Sequence, residues 1–376
     1  MNFTAQDYEW MARAIRLAAK GRWSSPPNPN VGCVLVKDGQ LIGEGFHRVA
    51  GEGHAEVNAM ADARARGYDL RGSRCYVTLE PCCHYGRTPP CANALIEAGI
   101  NSVVMAMRDP NPKVFGGGMR MLQEAGVEVR SGLLGEQAER LNLGFLSRMR
   151  RQRPYVRLKT AISIDGCTAL ANGKSQWITG PLARQDVQRE RACSHAVLSS
   201  AATVIADNAS LNVRSQELGS LGQKIDISRL RQPVRIILDR HQLLTGQERL
   251  FQQDGPIFHV VDRPVRQPLT ETIIVPPCAN WLEAVCKELA CWEINDLWVE
   301  AGATLSGAFL MAGLVDELLV YQAGVLLGDL SKSMACLGTL TELSEASRWQ
   351  RLSERLVGSD RKTVYIPKER QSCLPE

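Results

Sequence analysis

Four residues constrain this chain most: His54, Glu56, Cys82 and Cys91, which together are the parts of a hydrolytic zinc site. An imidazole and two thiolates are zinc ligands, and three protein ligands leave the fourth position open for water, as in catalytic rather than structural sites. Zinc lowers the pKa of its bound water to about 7. Glu56, which is not needed as a ligand, is then available to transfer protons. The pattern therefore predicts that separate segments of the chain converge on one metal.

The local sequence predicts where these groups lie. Apolar residues recur at helical spacing after residue 56, which places His54 and Glu56 in the first turn of a helix. The β-rich run 75–79 predicts a strand that ends shortly before Cys82. A second helix is predicted to open at Cys91, because the prolines before it are tolerated in a first turn.

The order of these elements resembles the zinc nucleobase deaminases. Eight residues separate Cys82 from Cys91. The run Leu-Glu-Pro-Cys ending at Cys82, with His-Tyr-Gly-Arg-Thr-Pro-Pro-Cys ending at Cys91, is similar to the deaminase half of the bifunctional riboflavin-biosynthesis deaminase/reductase family. That resemblance implies that Asn28 binds substrate. It also implies that Cys83, where the family usually has serine, is a spare thiol.

Length and composition favour a two-domain protein without a membrane or nucleic-acid partner. A chain of 376 residues with 44% hydrophobic residues can bury two cores. The formal charge of +4 is small for binding nucleic acid by bulk electrostatics. No signal segment or membrane-length apolar run is apparent, and twelve cysteines are dilute for a disulfide scaffold. We therefore expect a cytoplasmic protein with reduced thiols.

The first domain is predicted to span residues 1–150 and the second 151–376. Alternating strands and helices in the first half indicate a layered α/β domain, with a hairpin at Asp38-Gly39. The glycine run 116–118 is interpreted as a flexible turn. The arginine-rich segment 148–153 is interpreted as a solvated helix end and linker, in preference to a nucleic-acid contact.

The second half has no Gly-x-Gly-x-x-Gly fingerprint after a strand. Its best phosphate-binding candidate is the segment 297–307, where a predicted strand enters a turn of small residues and then a helix, so that backbone amides could hold a pyrophosphate. Such turns are common in α/β folds. The segment alone is therefore a weak indication of a cofactor.

Four segments of the second half resemble successive motifs of the same family's reductase domain, which has a dihydrofolate-reductase-like fold: 159–166, 175–179, 203–208 and 300–307. The family usually has glycine at position 301, where Ala301 would crowd the cofactor if its φ angle were positive. The resemblance implies NADPH contacts at Ala161, Trp177, Thr203, Asp207, Gly302, Ala303, Thr304, Leu305, Ser306 and Gly307. It implies substrate contacts at Ser175, Arg191, Leu211, Arg214 and Glu300, with Lys159 and Asp165 as supporting residues.

We therefore expect an α/β protein in which a cytidine-deaminase-like α/β/α layered domain precedes a dihydrofolate-reductase-like α/β domain. The resemblance implies a homo-oligomer, a dimer or larger, that uses Zn²⁺ and NADPH to deaminate and then reduce phosphoribosyl pyrimidines. Two alternatives remain open. A nucleic-acid base deaminase, such as a tRNA-type enzyme with a non-catalytic C-terminal domain, would share His54, Glu56 and the cysteines. A structural zinc module would recruit Cys83 or His84 as a fourth ligand.

Overall fold

The computed structural model describes residues 3–83, 90–112, 114–223 and 225–368. The chain divides into two compact units, Met1–Gln152 and Arg153–Glu376, whereas the boundary expected from the sequence follows residue 150. No helix of the described ranges is both long and apolar enough to cross a membrane.

The first unit alternates helices and strands. Its elements in chain order are α1 (Ala5–Ala18), β1 (Gly32–Lys37), β2 (Gln40–Phe46), α2 (Ala55–Ala65), β3 (Arg74–Val77), α3 (Cys91–Glu97), β4 (Ser102–Met105), α4 (Gly117–Glu124), β5 (Glu128–Ser131), α5 (Gly135–Arg140) and α6 (Leu143–Arg151). The strands form one sheet in the order β2-β1-β3-β4-β5, in which β3, β4 and β5 are parallel.

Helices cover both faces of this sheet. A Cβ atom on Gly32 would lie 2.0 Å from the Ala14 carbonyl oxygen of α1, whereas one on Gly45 of β2 would lie 2.5 Å from the Ala59 nitrogen of α2. Gly45 pairs with Cys33, and successive strand residues point to opposite faces. Helices α1 and α2 therefore lie on opposite sides, so the predicted α/β/α layering is confirmed. The predicted hairpin is also present, with φ angles of 50° at Asp38 and 75° at Gly39.

The second unit is built on a larger sheet. Its elements are β6 (Tyr155–Ile162), β7 (Cys167–Ala169), α7 (Pro181–Cys193), β8 (Ala196–Ser200), α8 (Ala201–Asp207), β9 (Val234–Leu238), β10 (Ile257–Val261), β11 (Glu271–Ile274), α9 (Trp281–Cys291), β12 (Asp296–Glu300), α10 (Ala303–Met311), β13 (Glu317–Gln322), β14 (Lys332–Ser333), β15 (Trp349–Val357) and β16 (Asp360–Pro367).

Nine strands of this unit pair in the order β11-β10-β9-β8-β12-β6-β13-β16-β15. The strands from β11 to β13 are parallel, and the hairpin of β15 and β16 adds two antiparallel strands at the end. Strand β12 lies between β8 and β6, although it follows both by about a hundred residues or more. Separate apolar clusters cover the two faces, one containing Leu297 and Val299, the other Trp298. The predicted α/β class therefore holds for both units.

Arg153 corrects the interpretation of the arginine-rich segment 148–153 as wholly solvated. Its guanidinium is buried and donates two hydrogen bonds, of 3.0 and 2.9 Å, to the two carboxylate oxygens of Asp316. Asp316 also accepts the Val156 N–H at 2.8 Å. Arg153 therefore anchors the start of β6 within the second unit.

Candidate active sites

The three predicted zinc ligands come together in the first unit. His54 is the N-cap residue of α2, Cys91 is the first residue of α3, and Cys82 lies in the loop that follows β3. Their ligand atoms all lie within 4.8 Å of one another. His54 Nδ1 is 3.2 Å from the sulfur of Cys91 and 3.6 Å from that of Cys82. One nitrogen and two thiolates at these separations fit a tetrahedral zinc ion with one position left for water.

The local electrostatics favour a thiolate at Cys82. Its pKa is lowered to about 4, because the Cys91 thiol and His54 donate hydrogen bonds to its sulfur and the Cys91 backbone N–H donates another at 3.2 Å. The pKa of Cys91 is raised instead, because its thiol bonds to that neighbouring thiolate and is buried. Cys82 is therefore favoured as a thiolate ligand, and Cys91 must lose its thiol proton to coordinate zinc, since the thiolate is the form that binds the metal.

Glu56 lies in the first turn of α2, two residues after His54, and its side chain is only 3% exposed. Burial raises the pKa of its carboxyl to about 7, and the negative charge of Cys82 adds to the increase. It is not one of the three grouped ligands. A carboxyl whose pKa lies near neutrality is suited to general acid-base catalysis.

The expected spare thiol, Cys83, is directed away from the ligands. Its sulfur lies 3.8 Å from the Val114 carbonyl oxygen, and it is absent from the group of metal-binding side chains found among the described residues. His84, the other candidate for a fourth ligand, lies outside those residues. The described site thus has the three ligands of a catalytic zinc, which does not favour the structural alternative.

Asn28 is held beside the zinc ligands by a histidine that the sequence did not single out. The Asn28 Nδ2 atom is 3.0 Å from His47 Nε2, while His47 Nδ1 is 3.2 Å from the Gly53 carbonyl oxygen. Since that carbonyl only accepts, Nδ1 carries the proton and Nε2 accepts from the amide. The His47 ring packs edge-on against His54, with centroids 5.4 Å apart. Only the tertiary fold brings these residues together, so no local signal identified His47.

Glu80 fixes the loop that flanks the zinc ligands. Its buried carboxylate accepts the backbone N–H groups of Asp109, Gly116 and Met119 at 3.1 to 3.2 Å. The glycine run 116–118 is therefore not the flexible turn expected from the sequence. Gly117 and Gly118 begin α4, and a Cβ on Gly118 would lie 1.9 Å from the Pro81 carbonyl oxygen. The absence of a side chain allows α4 to pack directly beneath the segment that carries Cys82.

Three of the predicted reductase residues form one partly buried charge cluster. Arg191 donates from Nε and Nη2 to the two carboxylate oxygens of Glu300, at 2.5 and 2.9 Å. Lys159 Nζ lies 3.8 Å from the same carboxylate, and the Trp298 indole donates to it at 2.8 Å. The pKa of Glu300 is lowered to about 2 because these positive and donor groups outweigh its burial. Burial lowers the pKa of Lys159. A lysine in this state can exchange a proton more readily than an exposed one.

The other predicted substrate residues lie partly around this cluster. Arg191 Nη1 donates to the Asn212 carbonyl at 3.0 Å, which brings the segment containing Leu211 and Arg214 beside it. Arg214 pairs with Glu217 at 2.8 Å, but its buried Nε has no hydrogen-bond partner within the described part of the chain. Ser175 lies half-buried between β7 and α7, and no hydrogen bond joins its side chain to the cluster in the described residues.

The predicted cofactor turn begins α10, with Gly302 as N-cap. A Cβ on Gly302 would have the Thr203 hydroxyl of α8 as its nearest neighbour, at 3.9 Å, so the two helix starts are adjacent. Ser306 N–H donates to the Gly302 carbonyl, which leaves the N–H groups of Ala303, Thr304 and Leu305 without a partner inside the helix. These groups fit a phosphate of a dinucleotide.

The remaining cofactor candidates divide into exposed and buried residues. Trp177 is 64% exposed, and the Arg184 guanidinium lies over its ring, 4.5 Å from the centroid. Ser306 and Gly307 are buried, so neither residue is open to solvent. Ala301 is not among the described residues with positive φ, and the expected crowding by its Cβ does not arise. Ala161 lies near the end of β6, and Asp207 ends α8.

Comparison with known proteins shows the family to which the chain belongs. A family model described as the cytidine and deoxycytidylate deaminase zinc-binding region matches residues 4–107, and the RibD C-terminal domain matches residues 154–358. The riboflavin biosynthesis protein RibD of Haemophilus influenzae is 50% identical over 375 residues, which cover 98% of this chain and 99% of that protein. The Escherichia coli protein of the same name is 48% identical and covers 94% and 98%. The chain belongs to the RibD family.

Solved RibD structures agree with this assignment. An Acinetobacter baumannii RibD is 44% identical, with a TM-score of 0.89, over 96% of this chain and 99% of that one. A Thermotoga maritima deaminase/reductase is 34% identical, with a TM-score of 0.84 and the same coverage. The chain is thus a bifunctional riboflavin-biosynthesis enzyme, both hydrolase and oxidoreductase, with zinc and NADPH as cofactors. The match of a reductase domain to the second half does not favour the alternative of a nucleic-acid deaminase.

Proposed function

We propose that the first unit removes the 2-amino group of 2,5-diamino-6-(5-phosphoribosylamino)pyrimidin-4(3H)-one, and that the second reduces the ribosyl group of 5-amino-6-(5-phosphoribosylamino)uracil to ribityl. The name of the Thermotoga maritima relative, which specifies both a diaminohydroxyphosphoribosylaminopyrimidine deaminase and a 5-amino-6-(5-phosphoribosylamino)uracil reductase, supports these substrates. The observation that carries the deaminase assignment is the buried Glu56 carboxyl beside a three-ligand metal group.

In the deaminase, His54, Cys82 and Cys91 would hold zinc, which when bound activates water for attack on the ring carbon. Glu56 would take a proton from that water and deliver it to the departing amino group, since its pKa of about 7 allows both steps near neutral pH. Asn28 would orient the pyrimidine, held in place by its contact with His47.

In the reductase, NADPH when bound supplies the hydride, and the protein aligns it with the ribosyl carbon. The first turn of α10 and Thr203 would bind the cofactor, with Trp177 covering it. Glu300 and Lys159 would contact the ribosyl group. Arg214, whose buried Nε has no hydrogen-bond partner among the described residues, would hold the substrate phosphate, because a guanidinium matches phosphate geometry.

The test is an incubation of the full chain with the diaminopyrimidine phosphate, with and without NADPH. Ammonia should appear in both reactions. In the reaction with NADPH, oxidation of the cofactor should begin only after ammonia release has begun. NADPH oxidation without ammonia release, or activity on a base in nucleic acid but not on the free phosphate, would contradict the proposal.

We also propose that the chain forms a homo-oligomer, a dimer or larger, and works in the cytoplasm. Edge strand β15 carries Leu352 and Leu356, which are 57% and 74% exposed, and an exposed apolar edge is normally covered. Analytical ultracentrifugation should show an oligomer that Leu356→Glu weakens and that Leu343→Glu, at another exposed leucine, leaves intact. Cell fractionation tests the location, and a monomeric native chain would refute the oligomer.

A further inference from the structure

The side chain of Asp165 joins two segments of the second unit that are far apart in sequence. Asp165 lies in the turn between β6 and β7 and accepts a hydrogen bond from the Ser163 hydroxyl. Its carboxylate also accepts the backbone N–H groups of Leu327 and Gly328, at 3.0 and 2.8 Å. Hydrogen bonds to a charged acceptor are stronger than neutral ones. The exposed Asp165 carboxylate therefore orders the loop at Leu327 and Gly328, whose backbone N–H groups would otherwise bond to water.

The loop that Asp165 binds is part of a longer segment, residues 323–336, which we call the strap. Backbone bonds attach it along the β6–β7 turn, from Ile164 N–H to the Val325 carbonyl at 2.8 Å and from Met334 N–H to the Gly166 carbonyl at 3.1 Å. Within the strap, β14 pairs with β7. Asp165 supplies a side-chain contact in the middle of this attachment, and the Thr168 hydroxyl supplies another at the Lys332 and Ser333 carbonyls.

The far end of the strap reaches the proposed cofactor turn. The Cys336 N–H donates to the carbonyl oxygen of Ala303, the first residue of α10, at 2.9 Å. A Cβ on Gly307 would lie 2.0 Å from the Cys336 carbonyl oxygen, so the strap backbone packs directly on the helix. Any displacement of the strap therefore acts on the first two turns of α10.

The near end of the strap lies at the same edge of the sheet as the charge cluster. Strands β6 and β13 are adjacent and parallel, and their carboxyl ends continue into the β6–β7 turn and the strap. Glu300 pairs with Lys159 in the register of β12 and β6. In a parallel sheet, ligands bind outside the carboxyl ends of the strands. The strap therefore borders the proposed reductase site from β13 to α10.

We propose that Asp165 is a positioning residue of the reductase, which fixes the strap so that the strap holds the start of α10 in the conformation that binds NADPH. This inference rests on the proposed function of the second unit. Asp165 does not touch the reacting atoms. Its removal leaves the Leu327 and Gly328 N–H groups without their acceptor and releases the middle of the strap. The variant should then bind NADPH more weakly, because part of the binding free energy is needed to order the loosened strap again.

The test compares Asp165→Ala, Asp165→Asn and Asp329→Asn in the full chain. Asp165→Ala should raise the KM and the Kd for NADPH about tenfold, the effect of losing roughly one charge-assisted hydrogen bond. Its kcat should change much less. Asp165→Asn keeps one acceptor oxygen and should fall between the alanine variant and the native chain. Asp329→Asn removes a charge of the same sign from the strap itself and should bind NADPH normally. Hydrogen exchange across 323–336 should accelerate most in the alanine variant, less in Asp165→Asn and not in Asp329→Asn.

Several results would overturn the inference. The NADPH Kd could be unchanged in both Asp165 variants, or Asp329→Asn could lose as much NADPH affinity as Asp165→Ala. A fall in kcat at constant KM in Asp165→Ala would also contradict the inference. The asparagine variant decides the matter if the alanine variant does not fold, and deaminase activity reports on the remainder of the chain. If the native chain itself fails to bind NADPH, the proposed reductase function fails, and that outcome is distinguished by testing the native chain first.

Discussion

Substitution of Gly118 by alanine tests whether the start of α4 fixes the zinc ligands. The new Cβ would lie 1.9 Å from the Pro81 carbonyl oxygen, whereas real Cβ contacts are essentially never closer than 3.0 Å. Either α4 or Pro81 must therefore move by roughly 1 Å, a shift of the size that can cost an active site about a hundredfold in rate. Pro81 directly precedes Cys82, so we expect the displacement to reach the metal.

Helix propensity opposes this effect and sets the scale of the prediction. Alanine is favoured over glycine inside a helix by about 1 kcal/mol, so an easily relieved contact would leave Gly118→Ala neutral or more stable. The obstacle here is a backbone carbonyl, and Glu80, whose Cγ lies 3.5 Å from the new atom, is itself held by three backbone bonds. We therefore expect the collision to outweigh the gain in propensity.

The assay measures zinc content, ammonia release and NADPH oxidation on one purified variant. Gly118→Ala should lose zinc or lower deaminase kcat/KM by about a hundredfold, while the reductase keeps its normal rate. Gly117→Ala is the matched control, because its Cβ would meet only the Cys83 side chain, with the sulfur at 2.5 Å and the Cβ at 3.5 Å, and that sulfur can turn away. Normal zinc and ammonia release in Gly118→Ala would refute the reasoning. Equal damage from Gly117→Ala would assign the effect to the helix start in general.

Four further predictions concern single side chains. Glu56→Gln should lower ammonia release about 10²- to 10⁴-fold with zinc retained. It should also stabilise the metal-free protein in thermal unfolding, by an amount that grows above pH 4.5 and is complete above about pH 7, because folding raises the pKa of the Glu56 carboxyl from 4.5 to about 7 and the ionised form therefore favours the unfolded chain. Cys82→Ala should lose zinc in metal analysis, whereas Cys83→Ser should keep both metal and activity. Arg214→Ala should raise the reductase KM for the phosphorylated substrate about tenfold or more, with normal ammonia release and NADPH affinity. The pKa of Glu300 is lowered from 4.5 to about 2. Its ionised form therefore stabilises the fold above about pH 4.5, and this stabilisation is lost as the pH falls towards 2. In denaturant titrations, the difference in unfolding free energy between the native chain and Glu300→Gln should shrink over that range.

The three predicted zinc ligands could be placed from the sequence because each lies in a local pattern. His54 and Cys91 open helices, Cys82 follows a strand, and the pairing of Asp38 with Gly39 specifies a hairpin turn. One imidazole and two thiols in these positions are compatible with few structures other than a metal site. The two-unit organisation follows in the same way from chain length and the order of elements.

Contacts between distant segments could not be predicted in this way. The clamp of Glu80 on α4 depends on residues about thirty or more positions away, and the contact of His47 with Asn28 depends on the sheet bringing two loops together. The glycine run at α4 illustrates the difficulty, because glycines needed for close packing and glycines of a loose turn read identically in sequence. The position of the strap depends equally on the completed sheet.

The place of β12 in the second sheet has a consequence for synthesis of the chain. Strands β6 and β8 leave the ribosome early, but their shared neighbour follows about a hundred residues later. Until then both present unpaired edges in a nascent chain, which are sites for mispairing and aggregation. Insertion of a parallel strand between two others is also slow, since distant segments must meet first. The five strands of the first sheet all lie within residues 32–131, so that sheet can pair while the second unit is still being made.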